Sequence, residues 1–357
     1  MKGATRREAA GGQTAAEDLR ALCDPLFASL TRSDQRARAA EYVEGLLVTE
    51  GRRSFRNMAA CLGHGTALEQ RLHHFVSCST WDWMPVRRAL AARAAAVAPL
   101  DAWVLRPMLT PKEGDDIAGV HRRYVPDLGA VRNVQYAVGL WSVSGALCQP
   151  VNWKLLHPGS PDAWTDRPGG RPACGWSRAR TPAQCAMGVY LDLLDGPGRR
   201  LPSGPVVMDV DGVDVIDAVR RLRAARLRFL VKVSRAVPLG LLAPAPLPGA
   251  EDLLLFGCGT GGGAGPDEVW LTDLLDAGPA ELVALAASAR TVEETFARVT
   301  DPLGARDFTG RTFEGWHRHL TLVSVAHAAR TTAPGPGPSL TTESVLLPGD
   351  VERVRLA

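Results

Sequence analysis

The feature that most constrains the fold is a strand–helix–strand run between Val206 and Val233. Val206, Val207 and Met208 are consecutive apolar residues that end at Asp209. Val213, Ile216, Val219 and Leu222 then recur every third residue, the stripe of an amphipathic helix, and Phe229–Val233 is a second apolar run. Two strands joined through a helix pair in parallel, since a tight hairpin can only reverse the chain. The unit therefore belongs to an α/β core.

Upstream the texture differs. From residue 17 to 98 apolar residues keep helical spacing, first at Leu19, Leu22, Leu26 and Leu30, then at Tyr42, Val43, Leu46 and Leu47, and Pro85–Val97 is an Ala/Arg-rich helix. Beyond Pro99, Trp103–Leu105 reads as a short strand and Thr110–Asp116 as a loop. Ala118–Val125, Val134–Ser144 and Leu147–Leu156 then read as an antiparallel meander. Gly159–Gly175 is irregular, and Thr181–Leu194 returns to helix. After the βαβ unit, Pro238–Gly265 is a Pro/Gly-rich interruption. Val269–Thr272 closes the strands, and helices are expected over Ala280–Ala289, Thr291–Val299 and Gly315–Ala329.

This order is that of an α/β, RNase H-like core, a mixed sheet with flanking helices. Here a helical N-terminal domain precedes it and an insertion comes before the last core helices. The expected organisation is a flexible tail (1–16), a helical domain (17–98), an RNase H-like domain (99–330) with its insertion near 235–268, and a flexible linker and tail (331–357).

Several stretches resemble bacterial insertion-sequence transposases of the DDE kind. Tyr42-Val-Glu-Gly-Leu-Leu47 and His74–Ser79 running into Trp81-Asp82 resemble that family's N-terminal helices. Gly119-Val-His-Arg-Arg-Tyr124 and Gly129–Gln135 resemble two of its core strands, and Phe313–Leu322 with Ala326-His-Ala328 its C-terminal helix. The resemblance runs from about Tyr42 to Arg330. It implies three carboxylates holding two divalent ions, which activate water and stabilise the leaving oxygen.

On that comparison the acid expected after the first strand, Ala102–Leu105, is replaced by Arg106. The second acid matches Asp209. The third matches Glu293 in Ala289-Arg-Thr-Val-Glu-Glu294, where the family's Trp position holds Arg290 and its Lys position holds Thr300. The permanent cation of Arg106 is expected to pair with Asp209 or Glu293 where metal would otherwise sit. No cofactor is expected, with magnesium on Asp209 and Glu293 only if metal binding survives.

Other motifs weigh less. Val206-Val-Met-Asp-Val-Asp-Gly212 imitates the opening of haloacid-dehalogenase phosphatases but lacks their later acid pair. Asp211, with Asp214 and Asp217, is a candidate for a new site, although acids in a first helical turn commonly just complement the dipole. Gly257–Gly261 imitates a methyltransferase turn without its acid. Arg220, Arg221, Arg223, Arg226 and Arg228 form a basic helix face that reads better as solvated surface than as a phosphate site. His317 and His319, two apart on a helix, do not form an i, i+4 metal pair.

A formal net charge of +3 is mild for a protein that lives on DNA. The seven cysteines include no C-x-x-C pair, so reduced core thiols are expected rather than a zinc cluster. No signal peptide and no apolar stretch of about 18 residues is visible, so a cytoplasmic location without membrane contact is expected. Three readings stay open. The first is a degenerate, domesticated transposase relative that still binds DNA weakly and salt-dependently. The second is the same fold recruited for small-molecule chemistry through Asp209, Asp211 and Glu293, beside a pocket lined by Trp141 or Trp153. The third is a non-catalytic interaction module.

Overall fold

The computed structural model describes residues 16–63, 65–114, 116–125, 128–157, 181–195, 201–210, 212–233, 252–258, 268–332 and 353–355. The chain divides into two units. One takes in Met1–Ala96, Gln149–Val151 and Thr295–Thr341; the other takes in Val97–Cys148, Asn152–Glu294 and Thr342–Ala357.

The first unit is helical. It contains α1 (16–26), α2 (Ser33–Val48), α3 (Phe55–Cys61), α4 (Thr66–Ser77), α5 (Met84–Val97) and, from the far end of the chain, α9 (Phe313–Thr332). Every residue of α9 from Gly315 to Ala328 is buried, as befits a helix enclosed on all sides, and it packs on α2 and α4. The histidines of α9 are structural. His319 donates from Nε2 to the Gly304 carbonyl at 2.8 Å, so its Nδ1 accepts from the Tyr42 hydroxyl at 2.9 Å. His317 stacks on Trp83 with ring centroids 4.9 Å apart.

The second unit is built on a nine-stranded sheet. Its strands are β1 (Ala102–Pro111), β2 (Val120–Val125), β3 (Ala130–Ser144), β4 (Leu147–Leu155), β5 (Val206–Met208), β6 (Phe229–Val233), β7 (Leu254–Cys258), β8 (Glu268–Thr272) and β9 (Arg353–Arg355). They lie in the order β2-β3-β1-β5-β6-β8-β7-β9, with β4 also on β3. β1, β5 and β6 run parallel, and the other neighbours along that path are antiparallel. The helices α6 (Pro182–Leu194), α7 (Val215–Ala224) and α8 (Pro279–Thr295) belong to this unit, and α6 packs on β3 and α7 on β6.

The core strands β4-β3-β1-β5-β6, a meander followed by parallel strands reached through helices, are compatible with an RNase H-like core. Most of the expected insertion near 235–268 lies outside the described residues; the strand described inside it, β7, pairs with β8, the strand that follows it. Arg353–Arg355 adds the edge strand β9 to β7.

Local chemistry explains the helix starts. Thr181 Oγ1 accepts from the Gln184 amide ahead of Pro182 in α6, and Asp214 Oδ1 accepts from the Ile216 amide at the start of α7.

Two expectations need correction. The first strand does not stop at Leu105 but continues to Pro111, because β3 pairs with it along its whole length, from Ala102↔Val143 to Pro111↔Val134. Pro107 is tolerated because β5 ends opposite Leu105, leaving β1 a free edge beyond that point. The two helices expected over 280–299 are a single helix, α8, followed by a π turn at Phe296–Thr300. Leu282, Leu285, Ala286, Ala289 and Val292 form one uninterrupted buried stripe, and no breaker divides it.

Gly139 lies opposite Arg106 in the β1–β3 ladder. A Cβ there would sit 2.7 Å from the Trp153 ring and 3.1 Å from the Trp141 indole nitrogen. Gly139→Ala is therefore expected to lower unfolding free energy by about 1–3 kcal/mol through overpacking. Urea denaturation would show this as an earlier midpoint, and an unchanged midpoint would mean that the ring shifts without cost.

Candidate active site

The parallel register assembles the site. Leu105 pairs with Met208, and Met208 with Val231. The next residue on each chain is Arg106, Asp209 and Lys232, so the three stand in a row. They sit just past the C-terminal end of the parallel pairing, where open α/β sheets present their functional groups. The Asp209 amide donates to the Leu105 carbonyl at 3.0 Å, which holds the acid in step with β1 just past the end of β5.

Arg106 Nη1 lies 3.3 Å from Asp209 Oδ2, and Arg106 Nη2 lies 2.9 Å from Glu293 Oε1. The guanidinium thus bridges both acids. Glu293 follows Val292, the last buried residue of the α8 stripe, which brings the carboxylate to the edge of the sheet. Asp209 is 14% exposed in its side chain and Glu293 60%. The bridge therefore has a half-buried inner half and a solvated outer half.

The other oxygen of Asp209 faces a second cation. Lys232 Nζ is 3.4 Å from Asp209 Oδ1 and 3.0 Å from Glu268 Oε1. Antiparallel pairing explains the placement: Lys232 is directly opposite Trp270, and Glu268, two residues away on β8, shares that face. The ammonium also lies 5.7 Å from the Trp270 ring centroid. Burial works against the charge on Lys232, but Asp209 and Glu268 outweigh it and raise its pKa above the usual lysine value.

Lys232 and Glu268 are site residues that the sequence did not disclose. Lys232 lies a strand away from Asp209, and the contribution of Glu268 depends on the β6–β8 register. The remaining expected residues fall as follows. Arg106, Asp209 and Glu293 come together. Asp211 lies outside the described residues. Thr300 is buried and bonds His327 Nδ1 at 2.9 Å in the helical unit. Trp141 and Trp153 are 1% and 2% exposed and meet edge to face, so neither is available to line a ligand pocket.

The donor set does not fit a pair of divalent ions. A metal at Asp209 would have to displace a guanidinium from one oxygen and meet an ammonium at the other. Among the described residues no three His, Cys, Asp or Glu side chains cluster in a way that could hold a metal. No helix among them is long and apolar enough to cross a membrane.

A mixed sheet with flanking helices, carrying one acid, Asp209, between two cations where its central parallel strands part, defines the class as an α/β domain compatible with the RNase H-like core. A family model described as DDE superfamily endonuclease matches residues 25–251, more than half of the chain, and the chain belongs to that family. Endonucleases of this superfamily use divalent metals such as magnesium, and their transposase domains typically bind DNA. The matched range includes Arg106 and Asp209 and ends before Glu293, whose place rests on the geometry above. No curated protein matches the chain by sequence.

Proposed function

We propose that this is a transposase-type DDE domain that has lost two-metal phosphodiester chemistry and retains duplex DNA as its partner. The reading rests on the bridge made by Arg106. A permanent cation stands where the first metal-binding acid belongs and occupies the two remaining acids, Asp209 and Glu293. Lys232 occupies the other face of Asp209. Two ions that would each need to shed water for carboxylate oxygens find those oxygens already neutralised. In this reading Asp209 and Glu293 are remnants of the triad and now hold the sheet to α8 through Arg106.

The division into an N-terminal helical domain and an RNase H-like domain with an insertion belongs to the same reading. It is supported by the family match and by the strand order of the core.

The test uses supercoiled plasmid with magnesium or manganese. Purified protein is expected to nick no more than its Asp209→Ala variant, and to retain duplex DNA with an affinity that falls as salt rises. Metal-dependent nicking that disappears in Asp209→Ala would overturn the loss of chemistry. Absence of any salt-sensitive retention would overturn DNA as the partner.

A further inference from the structure

The hairpin of β2 and β3 carries a concentration of positive charge that the site does not use. Arg123 and Arg132 are direct cross-strand partners, and Arg122 lies opposite Asn133 on the other face. Like charges directly opposite each other destabilise a strand pair. Among the described residues no carboxylate lies within ion-pair distance of any of the three arginines. The one acid in the sequence between Gly119 and Gln135 is Asp127, at the turn and outside the described residues.

The basic face of α7 is different. Its Arg221 is paired with Asp217 at 2.8 Å, and Arg228, just beyond the helix, with Asp276 at 2.5 Å. That surface is partly compensated, whereas among the described residues the hairpin arginines have no such pair.

Two further observations point outward from the hairpin. Tyr124, Leu128 and Val131 are 56%, 54% and 48% exposed, three of the seven exposed large apolar side chains among the described residues. Tyr124 and Val131 are opposite each other, on the face that carries Arg122. On the other face Arg123 lies 4.5 Å over the Tyr136 ring, and its Nη2 would be 3.0 Å from a Cβ at Gly212. The guanidinium therefore closes on the loop that directly follows Asp209, so the basic surface is continuous with the site.

We propose that the β2–β3 hairpin is a duplex-DNA contact, with Arg122, Arg123 and Arg132 on phosphates and Tyr124 and Val131 against the groove wall. A two-stranded ribbon fits the major groove. A polyanion also supplies a counter-charge that Arg123 and Arg132 lack among the described residues. The assignment rests on DNA as the partner, as proposed above, and names the surface that meets it.

The experiment measures fluorescence anisotropy of a labelled duplex of about 30 base pairs, long enough for several phosphate contacts, across roughly 50–200 mM salt. Wild type is compared with Arg122→Gln/Arg132→Thr and with Arg220→Gln/Arg221→Gln, an equal loss of charge on α7. The hairpin variant is expected to bind about tenfold more weakly at low salt, with a salt slope shallower by about 2, and the α7 variant close to wild type. Because Arg132→Thr removes a like-charge opposition, the thermal midpoint of the hairpin variant should hold or rise, so weaker binding cannot be put down to unfolding.

Wild-type binding that the hairpin variant matches overturns the hairpin assignment and leaves DNA as the partner. Equal losses in the two variants reduce the effect to bulk charge and also overturn it. A hairpin variant that keeps its DNA affinity but changes oligomeric state in sedimentation makes this face a protein contact instead. No salt-sensitive binding by wild type removes DNA as the partner and the hairpin contact with it.

Discussion

Arg106→Asp is expected to turn a domain indifferent to divalent metal into one whose stability depends on it. In the wild type the guanidinium neutralises Asp209 and Glu293 together. The substitution places a third carboxylate between them and removes the cation. In chelator, unfolding free energy should fall by about 2–4 kcal/mol, toward the lower end of what breaking a buried ion pair costs, because Glu293 is solvated and Lys232 still faces Asp209. Millimolar magnesium or manganese should then restore stability, by about 2.7 kcal/mol where the ion is present at a hundred times its dissociation constant. Lys232 limits the gain, since any ion at Asp209 Oδ1 must still meet its ammonium. The double variant Arg106→Asp/Lys232→Gln should therefore respond to metal more strongly than the single one. Guanidinium denaturation with and without metal reads all three proteins. A wild type stabilised by magnesium, or a single variant as stable in chelator as its parent, would contradict the bridging role of Arg106.

How much of this was legible in the sequence depended on how local the cause was. The βαβ unit could be read because its apolar runs and its three-residue stripe are self-contained, and the meander because its strands alternate with turn residues. Arg106 and Asp209 could be named because the family resemblance sets its first two acids directly after apolar runs, and both runs are plain in the sequence. The length of β1 was not legible, since Pro107 argues for a break and only pairing with β3 shows why there is none. The unity of α8 was missed because Arg290 and Thr291 resemble a boundary, whereas the buried stripe passes straight through them to Val292. Neither Lys232 nor Glu268 carries a local signal that marks it as part of the site. Their partnership with Asp209 arises from strands that meet in space and are distant in the chain. The same holds for the cross-strand arginines of the hairpin, whose opposition is a fact of register.

The helical unit offers the second large effect, Arg87→Ala, with an expected loss of about 3–5 kcal/mol. Arg87 is 1% exposed. Its Nε donates to Thr321 Oγ1 at 2.7 Å and its Nη2 to the His317 carbonyl at 2.8 Å, both on α9. Truncation empties the volume of a long side chain beside a helix buried on every face, and a cavity there collapses poorly. The polar partners are less exposed to the loss, because Thr321 Oγ1 itself donates to the His317 carbonyl at 2.8 Å and so keeps both groups engaged. Arg87→Met, which retains most of the volume and drops the charge, should therefore cost much less, about 1–2 kcal/mol. The two variants separate packing from charge: equal losses would mean that the guanidinium's hydrogen bonds, rather than the space it fills, hold α5 to α9. Chemical denaturation followed by tryptophan fluorescence is suited to the comparison, since Trp83 and Trp316 both lie in this unit against His317.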